Sequence, residues 1–190
     1  MAEDLRPDVL RAQLESNVIG WHDLTYRLIP AMRSNGRGRI VQNSSVLGLV
    51  AMKWRGAYSA SKFAIEALSD TMRLELDGTG VHVVLIEPGP ITSEFAKTAA
   101  TTLKNNVDYE NSVHKKSYAK HLRMLERGGT KSRVKLGPDA VCDKLIKALE
   151  SPRPRAHYYV TIPTYVMAAF RRILPQRMFD HLLILAAGKE

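Results

Sequence analysis

A phenol and an amine stand four positions apart in Tyr58-Ser59-Ala60-Ser61-Lys62. On a helix that spacing puts both side chains on one face, within reach of each other. A tyrosine titrates near ~10, too high for ready proton exchange at neutral pH, and a neighbouring ammonium favours the phenolate. The pair is therefore a candidate general acid and base. Taken alone, a Tyr and Lys at this spacing are ordinary surface decoration. Three further features change the weighing: Ser45, thirteen residues upstream of Tyr58; a strand-then-helix context; and Pro88-Gly89 after the next strand. A hydroxyl at the carboxyl end of a strand, where open α/β sheets bind ligands, can hydrogen-bond an oxygen on which charge develops. Asn17 lies inside a helical pattern, where Asn is a middling former, and is a candidate polar relay.

These residues need elements to position them. From Pro7 to Asn35 apolar residues recur at three- and four-residue spacing, which predicts one long or two abutting helices. Arg39–Ser44 is short, β-rich and preceded by a glycine turn, so it reads as a strand. A helix is expected from Gly56 to Thr79. The nearly unbroken β-branched run Val81–Ile86 suits a parallel strand covered on both faces. Residues 92–135 are polar, basic and irregular, as in a lid or binding loop. A helix runs from Asp139 to about Glu150, a strand from Ala156 to Ile162, and two amphipathic helices span about 164–173 and 176–187. Alternating helices and strands predict an α/β fold with a parallel sheet and right-handed crossovers.

The chain has 190 residues, 45% of them hydrophobic and 25% charged, which argues against disorder, collagen and coiled coil. No apolar run reaches the ~18–20 residues of a membrane-spanning helix, and the amino terminus lacks the pattern of a secretory signal. A single cysteine, Cys142, excludes an internal disulfide framework and a cysteine-rich metal site, and fits the reducing cytoplasm. The net charge of +9 is local. Residues 1–96 carry ten Lys and Arg against eleven Asp and Glu, whereas residues 97–135 carry ten against three and residues 151–190 six against two. The basicity belongs to the lid and the tail. No nucleic-acid reader motif accompanies it, so nucleic-acid binding is not expected.

The motifs together resemble the classical short-chain dehydrogenase/reductase family. Tyr58-Ser59-Ala60-Ser61-Lys62 matches its Tyr-x-x-x-Lys motif, Asn43–Gly48 its serine-bearing strand end, Asn17–Gly20 its asparagine-bearing helix, and Glu87–Ser93 its Pro-Gly segment. The resemblance implies hydride transfer between the nicotinamide of NADP or NAD and an alcohol or carbonyl carbon. Tyr58 would exchange the hydroxyl proton and Ser45 would position the substrate oxygen. Lys62 would lower the Tyr58 pKa and hold the nicotinamide ribose, and Asn17 would fix a water linking Lys62 to solvent. Pro88, Gly89, Ile91, Thr92 and Ser93 would hold the nicotinamide end. The family usually has threonine five residues after that proline; here Ser93 stands there and Thr92 precedes it. No metal is implied. A homo-oligomer joined through the two long helices is.

The family's glycine-rich turn, its NAD-or-NADP selector and its Asn-Asn-Ala-Gly stretch have no counterpart. Gly36-Arg37-Gly38 precedes a strand instead of following one. In the family's 3-2-1-4-5-6-7 order, the strands here correspond to the last three. The resemblance therefore implies a partial Rossmann-like, doubly wound domain over residues 1–190, with a substrate lid at 92–135 and carboxyl-terminal helices at 163–190. It would lack about 90 residues, at about 30 per β–α unit. The alternative is a catalytically incompetent remnant or a partner-dependent association module. The apolar tail, with Arg171, Arg172 and Arg177 interspersed, is expected to be core with subunit or lid packing; the alternatives are the wall of an apolar substrate pocket and peripheral contact with a membrane surface.

Overall fold

In the computed structural model, which describes residues 1–129 and 134–187, the strands β1 (Gly38–Asn43), β2 (Val81–Glu87) and β3 (His157–Tyr159) form a parallel sheet in the order β1-β2-β3. The β1–β2 register runs from Gly38 opposite Val81 to Asn43 opposite Ile86, and Leu85 pairs with His157. The chain is α/β with a parallel sheet, as its alternating pattern predicts. Gly80 makes the tight entry into β2 workable. Its φ is +77°, and a Cβ there would lie 2.1 Å from the Gly36 carbonyl oxygen.

One face of the sheet is covered by α1 (Pro7–Leu14), α2 (Gly20–Ser34) and α3 (Gly56–Glu75). Ile40, Val81 and Val83 pack there against Met72 of α3, Leu76 just after it, and Ile29 and Met32 of α2. Leu85 packs against Val18 and Ile65. Arg39 lies on the opposite pleat from Ile40. Its guanidinium donates to the carbonyls of Ala148 at 2.6 Å and Ser151 at 2.9 Å, which fastens α6 (Asp139–Glu150) to the other face.

Over 7–35 the chain forms two abutting helices, one of the two expected arrangements, and α1 and α2 join through a π-helical turn at Glu15–Ile19 that contains Asn17. Periodicity alone does not reveal it, because the apolar positions 14, 18 and 21 still face the sheet. The last strand covers three residues, His157–Tyr159, rather than 156–162, because Thr161 already precedes α7 (Ile162–Ile173). The carboxyl-terminal helices are therefore α7 and α8 (Gln176–Ala187).

The segment 92–135, expected to be an irregular lid or binding loop, is the largest departure. It is a helical hairpin, α4 (Phe95–Asn106) and α5 (Lys115–Glu126), with a core of its own: Ala100, Leu122 and Leu125, with Ala96, Ala99 and Leu103 packed against them. Small alanines carry the α4 side of that core. Lys131 and Arg133 of the expected basic lid lie outside the described residues. Leu122→Ala removes one of the two buried leucines of the hairpin's core, a change that costs ~2–5 kcal/mol at buried sites. The expected outcome is faster amide hydrogen exchange across residues 95–126 while β1 and β2 keep their protection.

Candidate active site

The carboxyl ends of parallel strands converge, and β1 and β2 deliver two loops to one place. After β1, Ser45 begins a 3-10 turn, Val46–Gly48; its hydroxyl accepts the Leu47 N–H at 3.2 Å and donates to the Pro88 carbonyl at 3.4 Å. The same carbonyl accepts the Val46 N–H at 2.8 Å. The Pro88-Gly89 turn after β2 is thus tied to Ser45 from one side. From the other it meets the α7 start, where a Cβ on Gly89 would fall 2.0 Å from Thr161 Oγ1. Thr161 and Thr164, both fully buried, bond to each other through their hydroxyls at 3.1 Å.

Tyr58 and Lys62 occupy the first turns of α3, facing this junction. Burial raises the Tyr58 phenol above its ordinary value, and hydrogen bonding to Ser45 and the positive field of Arg55 draw it part of the way back. Lys62 is not among the groups acting on it. The ammonium of Lys62 lies 5.5 Å from the Tyr58 ring centre, over the ring. It donates to the Asn43 carbonyl at 2.7 Å and sits 4.6 Å from the Trp21 ring centre. The net displacement of the phenol is upward, opposite to the lowering by Lys62 that the resemblance implies. Burial acts on the amine as well, lowering Lys62 to about 8 against the opposing field of Glu66.

Asn17 reaches the cluster through Ser61. Its side-chain amide donates to Ser61 Oγ at 3.0 Å, and Ser61 donates to the Tyr58 carbonyl at 2.8 Å. The π-helical turn turns Asn17 toward α3, and the chain of bonds anchors the helix turn that carries Tyr58. Ile91 forms a bridge with Leu136, and the Thr92 N–H donates to the Leu136 carbonyl at 2.8 Å. Thr92 and Ser93 are exposed, and Ser93 Oγ accepts the Phe95 N–H at 3.4 Å at the start of α4. The structure thus gathers Asn17, Ser45, Tyr58, Lys62, Pro88 and Gly89. Ile91, Thr92 and Ser93 lie further along the segment that leads into the lid.

Residues not singled out in the sequence complete the surroundings. Phe95 packs its ring against Tyr58, with centroids 5.2 Å apart. Trp54, four residues before Tyr58, has φ +70°, a conformation uncommon for a bulky residue; its ring stacks on His121 and meets Tyr118 edge-on. Behind Lys62 lies a charged cluster of Glu66, Glu87 and His157. Two sequence signals could have exposed it: Glu66 is four residues past Lys62 on a helix, and Glu87 ends a strand otherwise rich in apolar residues.

The short chain dehydrogenase family profile matches residues 1–104, and the chain belongs to that family. It is 42% identical over 179 residues to the uncharacterized oxidoreductase YbbO of Escherichia coli strain K12, covering 92% of this chain and 60% of that protein. It is 32% identical over 181 residues to the NADPH-dependent 3-dehydrocapnine reductase of Ornithobacterium rhinotracheale, covering 91% of this chain and 60% of that enzyme. A short-chain dehydrogenase of Streptomyces avermitilis superposes with a TM-score of 0.71 at 20% identity, over 99% of this chain and 66% of that one. Another from Burkholderia cenocepacia, in complex with NADP, gives 0.67 at 23% identity, over 94% and 62%. The chain thus spans about 60% of the length of the curated relatives it matches.

The displaced amine has a stability signature. Between about pH 8 and the ordinary lysine value of 10.5, the unfolded chain holds a proton on Lys62 that the folded chain has shed. The folded state therefore gains stability as pH rises through that window and loses it as pH falls toward 8. In Lys62→Met that rise is expected to vanish, as measured by urea denaturation at pH 7 to 10.

Proposed function

We propose that this chain carries the catalytic face of an NADP- or NAD-dependent short-chain dehydrogenase/reductase acting on a CH–OH or carbonyl group of an apolar substrate. The observation that carries the reading is the convergence of Ser45, Tyr58 and Lys62 on the Pro88-Gly89 turn, with Tyr58 and Lys62 both buried enough to have displaced titrations. The residues fit the nicotinamide end of such a cofactor. An ammonium has three N–H donors, of which the Asn43 carbonyl takes one, and Pro88, Gly89, Ile91, Thr92 and Ser93 line the neighbouring segment. Bound there, the cofactor supplies or accepts hydride at the nicotinamide. The chain's own residues do the rest. Tyr58 gives its proton to the substrate oxygen in reduction and takes it back in oxidation, Ser45 holds that oxygen, Lys62 binds the ribose, and Asn17 steadies the Tyr58 turn through Ser61. Related proteins that use NADPH, or bind NADP or NAD in their structures, support the cofactor class.

Tyr58→Phe is expected to lower turnover by at least ~10²-fold with an unchanged circular dichroism spectrum. The assay is NADPH oxidation with a panel of apolar ketones and aldehydes; turnover retained in that variant refutes the role of Tyr58.

A second reading, a partner-dependent association module, is favoured by the apolar residues that α2 and α3 present to solvent, among them Leu24, Tyr26, Leu28 and Leu74. The same surface supports homo-oligomer formation in either reading. Leu24→Asp is expected to shift the sedimentation coefficient toward the monomer. Saturable NADPH fluorescence on the intact oligomer favours the enzyme, and its absence favours the module. Among the described residues no helix is long and apolar enough to cross a membrane. A cytoplasmic protein with peripheral membrane contact through α7 and α8 belongs to the same proposal, supported by exposed Ile162, Ile173 and Met178 beside the arginines of the tail.

A further inference from the structure

Helix α3 bears a ladder of ionisable groups at four-residue intervals: Tyr58, Lys62, Glu66 and Asp70. Side chains at that spacing lie above one another on one face. The ladder's lower half meets the carboxyl end of the sheet. Glu87, fully buried at the end of β2, accepts the Tyr158 N–H on Oε2 at 3.1 Å, and its Oε1 lies 2.5 Å from His157 Nδ1. Glu66 approaches the same imidazole nitrogen with Oε2 at 3.9 Å, and Asp70 lies 3.8 Å from its Nε2. Glu66 is 8% exposed, with the Ser44 hydroxyl the polar group beside it, and Glu66 Oε1 makes no hydrogen bond of good geometry. A Cβ on Gly48 would lie 2.9 Å from that oxygen, so the loop after β1 closes over the carboxylate.

Two buried carboxylates around one imidazole are costly unless protons or cations balance them. The groups available are few. On α3 they are Lys62 above and Asp70 below, the latter paired with Arg73 at 2.6 Å. From β3 and α7 come Tyr159 and Arg172, which acts on Tyr159. On its outer side His157 borders a cleft of about 530 Å³ also lined by Lys144, Lys147, Arg153 and Arg155. Among the described cations only Lys62 is both fully buried and within the field of Glu66.

We propose that Glu66, Glu87 and His157 are positioning residues for the Tyr58–Lys62 pair: a buried charge cluster that holds the Lys62 ammonium in its charged form and fastens the end of β2 from which Pro88 and Gly89 project. The inference rests on the dehydrogenase reading only for its consequence; the coupling itself is a property of the folded chain. Burial raises Glu66 to about 7, and Glu87 raises His157, so the cluster changes charge close to neutrality. Loss of negative charge at Glu66 removes the one field opposing the desolvation of Lys62. Loss of the His157 cation has the same result, because the two carboxylates then share a proton.

The test follows Lys62 directly, by NMR titration of the chain carrying 13C- and 15N-labelled lysine, and needs no turnover. In the wild-type chain Lys62 titrates near pH 8, with a smaller inflection near 7 as the cluster changes charge. In Glu66→Gln its midpoint falls by about one pH unit, a tenfold loss of ammonium above the midpoint. His157→Gln lowers it in the same direction, and His157→Arg, which keeps the cation, restores it. A merely structural cluster would leave the midpoint in place. The proposal is overturned by a wild-type Lys62 curve with one inflection in the ordinary lysine range, or by folded Glu66→Gln and His157→Gln variants with the wild-type midpoint. The wild-type curve decides even where a variant does not fold. Failure of the dehydrogenase reading appears separately, as absent NADPH binding with the Lys62 coupling intact.

Discussion

Keeping the amine of Lys62 buried is the constraint that the surrounding structure answers. An ammonium withdrawn from water is tolerated only where hydrogen bonds and opposing charge replace hydration. Here the replacements come from three directions: the Asn43 carbonyl at the end of β1, the face of Trp21 from α2, and the field of Glu66 one helical turn away on α3. A shift in the docking of any of these elements would strand the charge. The compensation is incomplete, which leaves the amine near its titration point instead of firmly charged. That condition suits the role proposed for Lys62 beside the Tyr58 phenol.

The same need for compensation organises the strand ends. β2 closes on a fully buried carboxylate, Glu87, and the next two residues make the turn clamped between Ser45 and the Thr161–Thr164 pair. The lid is attached to this junction at one end, where Phe95 meets Tyr58, and to the chain's first residues at the other. There Asp4 accepts hydrogen bonds from Tyr118 at 2.8 Å and Ser112 at 3.0 Å, and the Met1 amino group bonds Tyr118. Trp54, held at positive φ, stacks on His121 of the same hairpin. The position of the α4–α5 hairpin and the loop leading into α3 are thus coupled through packing instead of through the hydrogen bonds of the candidate site.

The location of charge acquires a structural meaning. The lid's cations are partly matched within the helical hairpin and at its entrance: Lys104 pairs with Glu126 at 2.5 Å and Lys97 with Glu94 at 2.7 Å. Exposed pairs of this kind contribute little to stability and leave the net field of the lid positive. Beneath it, the buried charges alternate along α3 from Lys62 to Glu66, then meet Glu87 and His157. The site's electrostatics therefore come from a few desolvated groups, and the +9 total is mostly a property of its cover.

Sequence alone was sufficient for the features governed by local periodicity and by residue types at short spacing. The β-branched run of β2, the α3 face carrying Tyr58 and Lys62, and the turn at Pro88-Gly89 are all legible, because strand and helix periods place side chains predictably over a few residues. The helical lid was not legible: its core depends on Ala96, Ala99 and Ala100 meeting Leu122 and Leu125 from a second helix, a pairing that small residues do not advertise. The π-helical turn that aims Asn17 at Ser61 was hidden because it leaves the apolar spacing intact. The direction of the Tyr58 shift and the meeting of Glu66, Glu87 and His157 were decided by tertiary structure alone. Desolvation depends on what covers a group, and residues 21 and 70 positions apart along the chain become neighbours only when α3 packs on β2 and β3 is laid beside it.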